Sequence, residues 1–357
     1  MADTAVARWA RRLCVLLTLP LIGGCANFGY YLQSMQGQFS IWRQQRPISS
    51  VMADPQTPPR LRHKLAEVVQ IRKFASRELH EPDNGSYHAY VDLHRPFVVW
   101  NVFAAPRLSI EPIKWCFAFV GCVDYRGYFS RADAEKFAAG LDAQGDDVFV
   151  GGVPAYSTLG WFDDPVLSTF IRYPETEVAG LIFHELAHQM VYVRDDSMFN
   201  ESWAVTVQLE GVKRWLATQD DPRRRTQFEH ARGFRNAFTR LVTTCRERLK
   251  VLYASDASDT VKLQRKAEIF QALDHDYRAL KAQWGFNGYD PWAGQRVNNA
   301  TLASVAIYTR FVPAFQALLK QKHGNLPAFY AAVKKLAALP KEQRTRRLEA
   351  LMPGQSG

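Results

Sequence analysis

The residues best suited to chemistry are His184, Glu185 and His188, within Leu181-Ile182-Phe183-His184-Glu185-Leu186-Ala187-His188-Gln189-Met190. Histidines four apart on a helix share a face about one turn apart, so both imidazoles can reach a single ion. The glutamate between them projects nearby, where it can take a proton from water activated by that ion. Two histidines and a glutamate are costly to bury on an otherwise apolar helix unless something satisfies them, and a metal does so. Glu201 follows thirteen positions after His188, in Phe199-Asn200-Glu201-Ser202-Trp203-Ala204, opening a second amphipathic segment. That separation lets the first helix end, turn through the polar Arg194-Asp195-Asp196-Ser197, and present a carboxylate from the next helix. Two histidines and one glutamate, with the fourth position left to water, make a catalytic zinc set, here one Zn2+ per chain. The plain alternative for Glu201 is a helix N-terminal carboxylate favoured by the dipole alone.

The elements that must hold these residues fall into two halves. A helix is expected over 58–79, patterned at Leu61, Leu65, Val68, Val69 and Phe74, and ended by the turn Glu81-Pro82-Asp83-Asn84-Gly85. Strands are expected over 87–93, 97–103 and 146–153, with an apolar stretch over 113–128 and a short helix over 132–141. Apolar residues then recur every three to four positions over 176–193, 201–217, 225–253 and 260–283. Beyond an aromatic loop at 284–299, helices resume over 301–320, 326–338 and 341–351. Strands first and helices after imply an α+β fold: a small mixed strand region, then a mainly helical body, with the active site at their junction.

The N-terminus is different in kind. Arg8, Arg11 and Arg12 precede a short apolar run, Leu13 to Ile22, with the proportions of a signal peptide. Leu21-Ile22-Gly23-Gly24-Cys25 has the form of a bacterial lipobox, whose cysteine is acylated and whose preceding bond is cut. A plain secretory signal is the alternative. The expected division is a signal peptide at 1–24, a lipidated tether at 25–57 and a metallopeptidase domain at 58–357, strand-rich over 58–175 and helical over 176–357. Ala26 is not aspartate, so the expected address is the periplasmic face of the outer membrane. No stretch after residue 25 approaches the roughly 20 apolar residues that cross a bilayer, so the body is expected to be soluble. Cys116 and Cys122 would pair in an oxidising compartment or remain buried thiols, and Cys245 reads as a small buried hydrophobe. The net charge of +10 becomes +8 without residues 1–24, which hold three arginines and Asp3. Its basic segments, 222–282 and 333–347, read as solvated helical faces, and no nucleic-acid motif accompanies them.

The pairing of His-Glu-x-x-His with Asn-Glu-x-x-Ala resembles the gluzincins, the thermolysin and zinc-aminopeptidase group. More closely, the chain resembles a family of bacterial lipoproteins described as zinc aminopeptidases. The matching pieces are the lipobox, Tyr125-Arg126-Gly127-Tyr128-Phe129, Ala155-Tyr156-Ser157-Thr158-Leu159-Gly160-Trp161-Phe162, the zinc motifs, and Val297-Asn298-Asn299-Ala300 with Tyr308 and Val312-Pro313-Ala314-Phe315. The resemblance implies peptide substrates, with Gly152, Ala155 and Tyr156 on the strand and loop where such folds lay an extended substrate. An ordinary tight turn is the alternative there. It implies Tyr308 as the oxyanion donor, with Tyr156 second and core packing as the alternative. Asn298 and Asn299 are expected to cap the helix that follows. The spacing from His188 to Glu201 is shorter than in thermolysin. Those aminopeptidases also hold the substrate's free amino group with an acid, yet 151–162 contains none; Asp163, Asp164, Glu175 or Glu177 could serve. The expected activity is therefore a zinc aminopeptidase, with an envelope endopeptidase or a silent metal-binding lipoprotein as the alternatives.

Overall fold

The computed structural model describes residues 29–117, 121–285, 288–290 and 297–352; the segment expected to be a signal peptide, 1–24, and Cys25 lie outside the described residues. The stretch expected to be a tether is folded: residues 29–44 form helix α1, followed by β1 (Arg46–Pro47) and α2 (Ile48–Ala53). Its sequence hides the helix because the inward face is largely polar. Gln33 accepts from Phe129 N at 3.1 Å, Gln38 accepts from the Tyr156 hydroxyl, and Ile41 is the fully buried apolar residue. Gly37 lets α1 lie on the body, since a Cβ there would sit 2.2 Å from the Phe129 ring.

After α3 (Pro59–Glu78) come β2 (Ala89–Val91), β3 (Val99–Ala105), β4 (Trp115–Phe117), β5 (Gly121–Val123), β6 (Arg126–Tyr128), α4 (Arg131–Ala143), β7 (Asp147–Val153) and β8 (Val166–Leu167). They make small sheets in the orders β1-β2-β8, β6-β3-β7 and β4-β5. β7 runs antiparallel to β3, with Trp100 opposite Gly152, and is an edge strand among the described residues. Cys116 and Cys122 face each other across β4-β5 and are disulfide-bonded.

The helical half holds α5 (Glu175–Met190), α6 (Ser197–Ala217), α7 (Pro222–Ala254), α8 (Asp259–Trp284), α9 (Asn299–Thr309), α10 (Val312–Gln321), α11 (Leu326–Ala337) and α12 (Lys341–Glu349). The fold is α+β with a mainly helical body, as its patterning implies. The single helix expected over 301–320 is broken at Arg310–Phe311, where Pro313 in the first turn of α10 has no N–H to continue the ladder. Residues 299–321 also qualify by length and mean hydropathy as a membrane span, contrary to the sequence expectation, and half of that window is buried inside the protein. Ala300, Leu302, Ile307 and Phe315 account for its apolarity by burial.

The main core joins α3, α5, α6, α10 and α11 through Leu65, Ile71, Ile182, Leu186, Trp203, Phe315 and Phe329. A second core lies in the α7–α8 hairpin, where Phe238, Val242 and Leu249 meet Ile269, Leu273 and Leu302, and Cys245 is buried as expected. Charged residues cover the outer faces of this hairpin, and His275 is exposed among them.

One ion pair ties the C-terminal helix to the turn before α6. Arg344 donates from Nε (2.9 Å) and Nη2 (2.7 Å) to Asp196 Oδ2, and both side chains are buried, 4% and 6% exposed. Asp196 also accepts from Phe199 N at 3.2 Å, capping α6. Replacing Arg344 with leucine strands that carboxylate in the interior, and chemical denaturation should report a loss of about 3–5 kcal/mol.

Candidate active site

Helix α5 is apolar on nearly every face and starts with Glu175 and Glu177, which favour the positive end of its dipole. α6 returns antiparallel beside it, and the connection is fixed by one side chain. Asn200 donates from Nδ2 to Val193 O (2.7 Å) and accepts from Val193 N (2.8 Å). Trp203 Nε1 donates to Ala187 O at 3.2 Å, and Ala204, fully buried, keeps the helices close. α6 starts at Ser197, four residues earlier than its pattern suggests, because Asp196 caps it. Glu201 therefore stands in the second turn of the helix rather than at its mouth.

This geometry brings His184, His188 and Glu201 together. The two Nε2 atoms are 3.2 Å apart, and Glu201 Oε2 lies 3.2 Å from His184 Nε2 and 3.6 Å from His188 Nε2. All three side chains are buried, and the three donor atoms lie within 4.8 Å of one another. Gln208, two turns beyond Glu201 on the same helix, places its Oε1 3.2 Å from His184 Nδ1; in the tautomer that donates there, His184 Nε2 is free to serve as a metal ligand. A bare imidazole nitrogen, a second imidazole and a carboxylate oxygen then converge with too few protons to satisfy them. A divalent cation satisfies all three, so the donor set fits a metal ion and is compatible with zinc.

The two glutamates titrate in opposite directions. Burial drives the Glu185 carboxyl up to about 8, with Glu201 and Asp164 adding to the rise and His184 opposing it. Burial also pushes Glu201 upward, but His188 and His184 outweigh it and hold that carboxyl at about 2. One carboxylate is fixed as an anion, while the other readily holds a proton.

Tyr308, on α9, has its ring centroid 6.4 Å from that of His184. Burial, then the Glu201 carboxylate, raises its hydroxyl well above the ordinary tyrosine value. Tyr125, just before β6, packs with it and is raised by the same two causes. Tyr87, buried with φ +65, is raised by burial and then by Glu185. Sequence reading listed Tyr125 only within a family hallmark and missed Tyr87 and Gln208; none carries a local signal, because each reaches the site through the tertiary fold.

The three expected substrate contacts have packing roles. Gly152 is required by Phe97, whose ring would lie 2.2 Å from a Cβ there. Ala155 is a core residue, and Tyr156 stacks edge-on to Phe129 while its hydroxyl reaches Gln38 on α1. Asn298 caps α9 as expected, in a reciprocal box with Thr301. Of the four candidate acids, Asp163 is exposed, Glu175 binds Arg224 and Trp215 Nε1, and Glu177 faces the charge of Arg235. Asp164 alone is buried and raises the pKa of Glu185. It accepts from Thr158 N at 3.0 Å and Ser157 Oγ at 3.4 Å.

Two outcomes follow from these contacts. Gln208→Leu should weaken metal binding about 10- to 100-fold with the fold intact, measured by competition with a chelating dye. Burial lifts the Asp164 carboxyl from 3.8 to about 6. A raised acid stabilises the fold fully below its unfolded pKa, and that stability is lost as pH rises through the folded one. Urea unfolding between pH 4 and pH 6 should therefore show a loss of about 2 kcal/mol in the wild type that is absent in Asp164→Asn.

Neither a curated protein nor a solved structure matches the chain. A family model described as "Putative aminopeptidase" matches residues 29–348, from the first described turn of α1 to the last turn of α12. That span takes in both histidines, both glutamates, Gln208 and Tyr308, and the chain belongs to this aminopeptidase family.

Proposed function

We propose that the protein is a zinc-dependent aminopeptidase, anchored by lipid at Cys25 to the periplasmic face of a bacterial outer membrane. The observation that carries the reading is the convergence of His184, His188 and Glu201 beside a glutamate whose surroundings favour proton uptake. A divalent ion bound there supplies a Lewis acid for the scissile carbonyl and lowers the pKa of water. Glu185 accepts the proton of the attacking water on a carboxylate oxygen and returns it to the leaving amine nitrogen. Tyr308, whose hydroxyl stays protonated across the working pH range, donates to the carbonyl oxygen as negative charge develops there. Gln208 holds His184 in one tautomer throughout. β7, an edge strand among the described residues, accepts an extended peptide backbone along its edge beyond Val148, whose carbonyl takes Asn298 Nδ2. Asp164, at the end of the loop after β7 and within electrostatic reach of Glu185, is the carboxylate placed to hold a free amino terminus.

Peptides with free and blocked amino termini separate the exopeptidase from an endopeptidase, and bound metal is counted on the same preparation. One zinc per chain and cleavage of free-amino peptides are expected. Glu185→Gln should keep the metal and lose about 10²- to 10⁴-fold in kcat. Wild-type turnover in that variant would remove Glu185 from its role, and zinc with no hydrolysis of any peptide would leave a metal-binding lipoprotein.

A further inference from the structure

Helix α1 packs Ile41 and Tyr30 inward but carries its other large apolar residues on the side away from the protein. Leu32, Met35 and Phe39, spaced to share one helix face, are 41%, 61% and 56% exposed. Toward the body the same helix turns Gln33, Gly37, Gln38 and Ile41. The outward stripe continues at Trp42, whose ring centroid lies 4.2 Å from that of Phe162. Phe162 and its neighbour Trp161 are themselves 46% and 71% exposed. Five of the eight large exposed hydrophobics among the described residues thus gather on one surface, built from α1 and the loop that leads to Asp164. A soluble face has no use for such a concentration, and an apolar patch of this kind marks a binding surface.

We propose that this surface docks on a lipid bilayer, with the outer face of α1, Trp161 and Phe162 lying in its interfacial layer. The proposal rests on the reading of Cys25 as acylated, and the reach of the chain is what selects this occupant. Three residues, Ala26, Asn27 and Phe28, separate that cysteine from the first described turn of the helix. Even fully extended, the chain from Cys25 to residue 29 spans at most about 14 Å. The headgroup layer is itself roughly 5–8 Å deep, so an acylated Cys25 holds the start of α1 against the membrane whatever else the body does. A helix held there with an apolar outer face gains by burying it, and tryptophan and phenylalanine are suited to that depth. Exposed Arg43 shares this face and lies over the Phe39 ring at 5.9 Å, from where its guanidinium can reach lipid phosphate. The docking loop also approaches the catalytic helix, since a Cβ placed on Gly160 would lie 3.7 Å from the side chain of Gln189, the residue after His188. Docking therefore sets how far the active site stands from the bilayer and which peptides, those close to the membrane, reach it.

The test uses the mature protein purified from bacterial membranes and reconstituted into phosphatidylethanolamine/phosphatidylglycerol vesicles with brominated acyl chains. Mass spectrometry of the N-terminal peptide reports first whether Cys25 is acylated. The fluorescence that disappears in Trp161→Phe isolates the signal of Trp161. Docking predicts that brominated lipid quenches this signal at least about twofold. The combined variant Leu32→Gln, Met35→Gln and Phe39→Gln should lose the quenching while keeping wild-type circular dichroism and turnover of a soluble peptide. An acylated Cys25 with Trp161 unquenched overturns docking and leaves the anchor standing. Unchanged quenching in the combined variant overturns the role of α1, and an unacylated Cys25 removes both the anchor and the docking proposal. A raised KM for soluble peptide in that variant, without quenching in the wild type, would make the patch a substrate surface and overturn the proposal as well.

Discussion

The structure depends on the close antiparallel packing of α5 against α6. Three ionisable side chains are buried at their interface, and their donor atoms converge closely enough for one cation to offset the cost of burying them. The interface leaves little freedom. Ala187 and Ala204 allow close approach, Trp203 ties α6 to the Ala187 carbonyl, and Gly180 leaves room for Gln208, which a Cβ there would meet at 3.0 Å. Asn200 closes the turn on both sides of Val193, so the position of Glu201 relative to the histidines is set by backbone bonds rather than by side-chain flexibility. The two halves of the Asn-Glu-x-x-Ala motif thus have separate physical tasks: asparagine and alanine place the helix, and glutamate supplies the charge.

Around that frame, environment divides the labour between chemically identical groups. Glu185 and Glu201 are both buried carboxyls, yet the first is pushed toward neutrality and the second held as an anion, because only the second faces both imidazoles. The tyrosines that converge on the site, Tyr87, Tyr125 and Tyr308, are all raised by burial and then by a glutamate, so they remain hydrogen-bond donors. They arrive from the loop before β2, the turn before β6 and helix α9, which is how the strand-bearing half and the helical half come to share one site.

The N-terminal segment adds a second constraint. α1 is fastened to the body by amide and hydroxyl contacts, by a glycine, and by Ile41 and Tyr30, which pack inward. That arrangement frees its leucine, methionine and phenylalanine for another surface. It also explains why this stretch reads as a tether: periodicity argues a helix when apolar residues point into a core, and here those three point out.

The clustering of His184, His188 and Glu201 was legible because helix geometry turns local spacing into a shared face. The same holds for the α+β division, the Cys116–Cys122 pairing and the Asn298 cap, each governed by residues close in sequence. For Gly152, Ala155 and Tyr156 the packing neighbours, Phe97, the main core and Gln38, come from elements that the motif does not mention, so the sequence could not foresee them. Among Asp163, Asp164, Glu175 and Glu177, composition offered no choice, and burial beside Glu185 distinguished Asp164. By itself the sequence determined which groups could bind a metal and move a proton, because those properties belong to residue types and to the helix repeat. Only the tertiary structure decided which tyrosines and which acid surround them and which face of α1 meets solvent, because burial and electrostatic coupling are properties of neighbours brought together from distant parts of the chain.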